Sequence, residues 1–236
     1  MTSTPSRAPT AAAEGTTAAR PGTARLLAAV AAPLGPVLFA LASLVIPYGT
    51  GGSSKEIAKD IAAHQGATEL SAWLWTVGTV VFLPGLVAVG LLATSRSARL
   101  GLWGSLLFGT GLIAVTATPS LDIVALGAFD KGVSQDVMVK VADGTNALAV
   151  VNAPLFYFIA AHVIGAILLG VALLRGRVIP VWAAWLLILS MPLNVVGYAG
   201  GLMPLTVVSF LMPAVAFGYA GLVLARRGSG WTRTTA

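Results

Sequence analysis

The sequence predicts an all-α polytopic transmembrane bundle of about six helices. Three observations point there: too few polar residues to coat a water-soluble domain, six apolar runs of spanning length, and a one-sided placement of arginine. Of 236 residues, 57% are hydrophobic and 9% charged, with a mean hydropathy of +0.89. That composition cannot cover a soluble domain of this size, which leaves lipid as the solvent. Six spans of roughly 20 residues use about half the chain, so there is room for one bundle and no appended soluble domain.

The elements follow in order. Residues 1–25 are rich in Thr, Ala, Pro and Ser with scattered Arg, too polar to offset their ordering entropy by burial, and read as a disordered cytoplasmic tail. A signal peptide is the competing reading, from the basic residues, the apolar run from Leu26 and the small-x-small site at Ala40-Leu41-Ala42. The run continues through Ile46, long enough to span, which favours an uncleaved first helix. The transmembrane domain covers 26–227, with spans at about 26–46, 72–94, 100–121, 150–174, 178–198 and 202–225, and 228–236 is a second cytoplasmic tail. Ala199-Gly200-Gly201 marks a tight turn between the last two spans.

Charge placement orients these spans. All ten arginines fall on the tails or on the turns after the second and fourth spans, whereas Lys55, Lys59, Lys131 and Lys140 lie on the two longer loops with every acid except Glu14. The positive-inside rule then puts both termini in the cytoplasm and the lysine loops outside. The net charge of +6 thus reports topology and calls for no nucleic-acid partner. Tyr48, Trp73, Trp75, Tyr157 and Tyr198 fall near the outer ends and Trp103, Trp182 and Trp185 near the inner ends, as interfacial anchors do.

Within the spans, Gly101, Ser105 and Gly109 form one smooth face of the third helix, and Ala161 with Gly165 another on the fourth, suited to close helix approach. Pro84, Pro192 and Pro213 interrupt the second, fifth and sixth spans and free backbone carbonyls there. Both outer loops carry a short surface helix. Ser53 and Glu56 make a capping box ahead of Ile57 and Ile61, and a second helix begins near Ser134, shows Val137, Met138 and Val141 on its apolar side, and ends at Asp143-Gly144. Lying on the membrane is the expected arrangement for both, with a lid over the bundle as the alternative.

Glu69, Asp122 and His162 stand inside or at the outer edge of apolar spans, where ionisable groups are costly and suggest function. His162 lies about 15 Å along its helix from Asn152, near the bilayer midplane. Its structural reading is interhelical glue, with Asn194 as partner. Asp122, just after Pro119, sits at the membrane edge, while Glu69 opens the second span where a carboxylate complements the helix dipole. Asn146, Asn152, Asn194 and Tyr198 lie at similar depth as supporting polar groups. Together these residues form a candidate acid–base pocket for a lipid-soluble molecule.

Other chemistries find no footing. There is no cysteine, and two histidines, His64 and His162, lie too far apart in depth for metal or haem, so no cofactor or metal is expected. Phosphate-loop, nucleophile-elbow and inverted-repeat patterns are missing, and the Leu-Leu then Arg and Trp echo at 91–103 and 173–182 merely marks inner turns.

Glu69-Leu-Ser-Ala-Trp, Phe82-Leu-Pro-Gly, the segment from His162 through Gly170, and Val178-Ile-Pro-Val-Trp resemble a widespread group of small, uncharacterised six-helix bacterial integral membrane proteins. The resemblance implies shared architecture and no activity. A similarity of plan alone links the chain to small membrane-bound terpene cyclases, helical bundles that use carboxylic acids to protonate an isoprenoid; on that plan Glu69 and Asp122 would be the acids. The expectation is therefore a membrane protein that binds an apolar or isoprenoid-like molecule in its outer half, with Asp122, Glu69 and His162 as candidate catalytic residues. The alternative is a non-catalytic transport partner, sensor or immunity protein. The bilayer is its expected partner, and the sequence specifies no oligomeric state.

Overall fold

A computed structural model describes residues 22–116 and 120–226. The rest of both tails, with Arg7, Arg20, Arg227 and Arg233, and residues 117–119 with Pro119 lie outside the described residues. The described chain is all helix: α1 (Thr23–Val45), α2 (Ser54–Ala63), α3 (Gln65–Thr94), α4 (Ala98–Thr116), α5 (Leu121–Asp130), α6 (Gln135–Asn146), α7 (Ala149–Arg175), α8 (Val181–Ala199) and α9 (Met203–Arg226). Among them are six candidate spans, the third running from α4 into α5 as Ala98–Asp130. This is a multi-pass membrane bundle.

The six long helices form a closed antiparallel ring. Each of α1, α3, α4, α7, α8 and α9 packs on the one before it, and α9 closes on α1. Lipid tails give apolar helices no hydrophobic reason to associate, so close backbone approach carries the packing. At the α4–α7 contact a Cβ on Gly165 would sit 2.6 Å from the Phe108 nitrogen, and one on Gly104 2.6 Å from that of Leu169. Gly111 meets Ala161 in the same seam, so the expected Ala161–Gly165 face is used there. The Gly101–Ser105 face packs on the α3 side, against Ala93, Thr94 and Gly90.

Inside the ring runs a chain of aromatic contacts. Trp75 stacks on Phe39 at 4.6 Å, Phe39 meets Phe82 at 6.1 Å, and Phe82 lies edge-on to Phe108 at 5.6 Å and Phe217 at 5.1 Å. Trp75 is therefore half-buried against the core, where its position suggests an exposed interfacial anchor. Trp103, Trp182 and Trp185 are exposed, as anchors should be, and the outer surface of the ring is apolar, with Val150 74% and Val80 66% exposed.

The ring places Arg25, Arg96, Arg99, Arg175, Arg177 and Arg226 at one end and Lys55, Lys59, Lys131 and Lys140 at the other. The lysine end carries a cap. Helices α2, α5 and α6 pack on one another, and α2 and α5 also rest on α3. Ile61, Ala125 and Met138 form a small core of their own, flanked by Tyr48, Ile57 and Phe129. Met138 of the expected apolar side of α6 faces this small core, while Val137 and Val141 stay exposed. Ser53 and Glu56 complete the anticipated capping box, and the Ser53 backbone and hydroxyl donors hold Glu56 below the usual carboxylate range. Two boundaries shift: α6 continues through Gly144 to Asn146, and α3 starts at Gln65, which moves Glu69 out of the first turn.

Candidate functional site at the capped end

Asp122 lies in the first turn of α5, where the unsatisfied amides of a helix N-terminus favour a carboxylate. The chain leaving α1 passes beneath it. Ile46 ends α1 in an extended conformation, Pro47 follows, and the Tyr48 hydroxyl donates to Asp122 Oδ2 across 74 residues of sequence. Tyr48 is half-buried against the cap core. Burial, and then the Asp122 charge, push its hydroxyl above the ordinary phenol range.

Tyr198, near the end of α8, completes the group. Its ring packs on the bundle core, its phenol lies beside Ser43 and within electrostatic reach of Asp122, and its carbonyl accepts from Thr50 Oγ1 at 3.0 Å. Ser43 is buried on α1 and donates to the Phe39 carbonyl at 3.0 Å. The loop from Pro47 to Gly52 is thus pinned between cap and ring, with one carboxylate, two phenols and two hydroxyls where they meet. Such a group can accept, donate and relay a proton, and it can orient one polar end of a molecule whose remainder is apolar.

The remaining sequence-predicted residues go elsewhere. Glu69 is exposed on α3. His162 is 6% exposed on α7, with its ring against Phe108 at 4.2 Å and Phe158 at 4.5 Å. Its Nδ1 finds no hydrogen-bond partner among the described residues. His162 lies level with Gly111, so it sits about 8 Å below the end of α4 and away from the cap. Asn194, its expected partner, donates instead to Ser209 Oγ at 2.8 Å, and Ser209 donates to the Thr206 carbonyl at 2.6 Å. The imidazole therefore does not act as glue to Asn194. Asn152 donates to the Asn146 carbonyl at 2.7 Å and ties the start of α7 to the end of α6. Of the seven residues singled out, Asp122 and Tyr198 share this cluster, while Asn146 and Asn152 pair with each other elsewhere.

Ser43 and Thr50 escaped the sequence reading, and Tyr48 entered it only as an interfacial anchor. The available signal was weak: a tyrosine at a span end looks the same whether it faces headgroups or a carboxylate. Among the described residues, no three His, Cys, Asp or Glu side chains gather as a metal site. No family model matches the chain, and neither a curated protein nor a solved structure matches it.

Proposed function

We propose that this protein binds an apolar, isoprenoid-like molecule carrying one hydrogen-bonding group, taken from the membrane at the capped end of the bundle. The Tyr48–Asp122 hydrogen bond carries the proposal, because it leaves the Asp122 carboxylate and the Tyr48 oxygen as acceptors for a ligand hydroxyl at the edge of the lipid-facing ring, beside Tyr198 and Ser43. Asp122 and Tyr48 hold the polar end of the ligand, and the apolar tail lies along the ring. An acid–base enzyme on the plan of the small membrane terpene cyclases is the catalytic form of this reading. There Asp122 gives a proton to one carbon of an alkene and takes one back from another, so isomerisation or cyclisation needs no co-reactant. Glu69 and His162 fall outside that centre, the one exposed and the other at a different depth. Their separation favours, as the second reading, a non-catalytic binding component.

A farnesol analogue bearing a photoreactive diazirine tests the proposal on the full chain in lipid nanodiscs. Labelling should map to the segments around Tyr48, Asp122 and Tyr198. Removing a hydrogen bond to a charged group costs about 1.5–3 kcal/mol, so Asp122→Asn and Tyr48→Phe should each weaken labelling roughly tenfold or more. Unchanged labelling in both variants refutes the site. Conversion of unlabelled farnesol to a product that Asp122→Asn does not form decides for the enzyme, and binding without conversion decides for the non-catalytic component.

A further inference from the structure

Asp122 is a half-buried carboxylate to which the folded chain brings no positive charge. Its Oδ2 accepts from the Tyr48 hydroxyl. Its Oδ1 has no hydrogen-bond partner among the described residues, yet it is not sealed from its surroundings. No lysine or arginine among those residues forms an ion pair with it: Lys131 pairs with its neighbour Asp130 at 3.0 Å, and Lys55, Lys59 and Lys140 are exposed on the cap. A carboxylate drawn partly out of water without a counter-charge carries a desolvation cost that a bound cation offsets. The valences at the site narrow the choice of cation. The Tyr48 proton is committed to Asp122, so the Tyr48 oxygen and Asp122 Oδ1 both present lone pairs and neither presents a proton. A hydroxyl has one hydrogen and satisfies one of them, whereas a primary ammonium has three and serves both. The charge of this end points the same way. Across α2, α3, α5, α6 and the loops that join them, acids outnumber lysines seven to four, the reverse of the arginine-bearing end. A cation arriving there meets an attractive field, and an anionic head group such as a phosphate is turned away.

We propose that the preferred ligand of the Asp122 site is a hydrophobic amine bound as its ammonium, with Asp122 as counter-ion and the Tyr48 oxygen as second acceptor. The inference rests on the ligand site proposed above and specifies the head group that the site selects: ammonium before alcohol, and alcohol before phosphate ester. Tyr198 and Ser43 stand beside the pair with further oxygen atoms, and the hydrocarbon remains in lipid. The attraction between ammonium and carboxylate is strong at the edge of an apolar ring, where less water screens it, and the desolvation of the ammonium takes back part of the gain. A roughly tenfold preference for the amine over the alcohol of the same chain is the expected balance.

Diazirine analogues of farnesylamine and farnesol, identical in chain, test this on the full chain in phosphatidylcholine nanodiscs, whose zwitterionic surface does not itself concentrate the amine. At neutral pH an alkyl amine is protonated, as a lysine side chain is. The amine probe should label the segments around Tyr48, Asp122 and Tyr198 at a concentration roughly tenfold lower than the alcohol probe. Asp122→Asn should abolish that preference, and Asp122→Glu, which keeps the charge, should retain it. Thermal midpoints report whether each variant is folded, and farnesylamine should raise those of the wild type and Asp122→Glu while leaving Asp122→Asn unmoved. Equal labelling of the wild type by the two probes overturns the inference and leaves the ligand site standing, whereas labelling of these segments by neither probe removes both. That wild-type comparison decides even where a variant fails to fold. A preference that survives Asp122→Asn also overturns the inference, because it assigns the selectivity to the field of the capped end as a whole. Labelling by a farnesyl phosphate probe at the concentration the amine needs overturns it too.

Discussion

At the scale of single residues, the chemistry of this chain turns on how each buried polar group is satisfied. Asp122 accepts from Tyr48, and Tyr48→Phe leaves a half-buried carboxylate short of a donor. That change should cost about 1–2 kcal/mol, read as a lower thermal midpoint in detergent, with the loss greatest where Asp122 is ionised. The phenol carries its own pH signature. Because its pKa is raised in the fold, both states stay protonated below about pH 10, and above that only the unfolded chain gives up the proton. The Tyr48 contribution therefore falls away as pH rises past that point. A tyrosinate absorbance titration should show the Tyr48 phenol resisting ionisation in the folded protein, and Asp122→Asn should bring it down. His162 is the opposite case. With Nδ1 unpartnered, His162→Leu removes an unsatisfied polar atom and should hold or raise stability by up to about 1 kcal/mol, whereas a marked loss would show that the imidazole binds something within the bundle.

At the scale of elements, glycines decide which helices touch. Gly165 sits where α4 and α7 come closest, and Gly165→Leu must push Phe108 and its backbone aside. Overpacking of this kind costs about 1–3 kcal/mol and should separate the two helices, visible as a lower melting temperature and faster proteolysis of the loop between α3 and α4. Gly127 lies in the middle of α5 with open space around it, so Gly127→Ala should stabilise the cap helix by about 0.5–1 kcal/mol. The contrast is one of environment: a seam in lipid holds by backbone contact, while an exposed helix gains from a side chain that limits the unfolded chain.

At the scale of the whole molecule, the closed ring and its cap give the two ends different characters. One end is short-turned and rich in arginine, and the other is helical, lysine-bearing and acidic. The orientation expected from this asymmetry is open to a direct check, because a chain without cysteine accepts single thiols cleanly. Gln135→Cys on the cap should react with a membrane-impermeant maleimide on intact cells, and Ala98→Cys at the α3–α4 turn only after permeabilisation. The reverse pattern would turn the protein over and place the Asp122 cluster on the cytoplasmic side.

By itself the sequence determined the fold class with its six spans, the gathering of the described arginines at one end and the Ser53–Glu56 cap. Each of these rests on composition, on local periodicity or on contacts three or four residues apart. It also picked out Asp122 and His162 as costly groups, because the expense of a polar residue in an apolar run is visible without a partner. Only the tertiary structure decided what those groups face. Tyr48 reaches Asp122 from 74 positions away, Trp75 turns inward to Phe39, and Asn194 chooses Ser209 over His162. Which side of a helix meets which neighbour depends on the order in which the ring closes, and no local pattern carries that order. The cap follows the same logic: the apolar sides of α2, α5 and α6 are legible one by one, but that Ile61, Ala125 and Met138 meet while Val137 and Val141 stay exposed is a property of the folded chain.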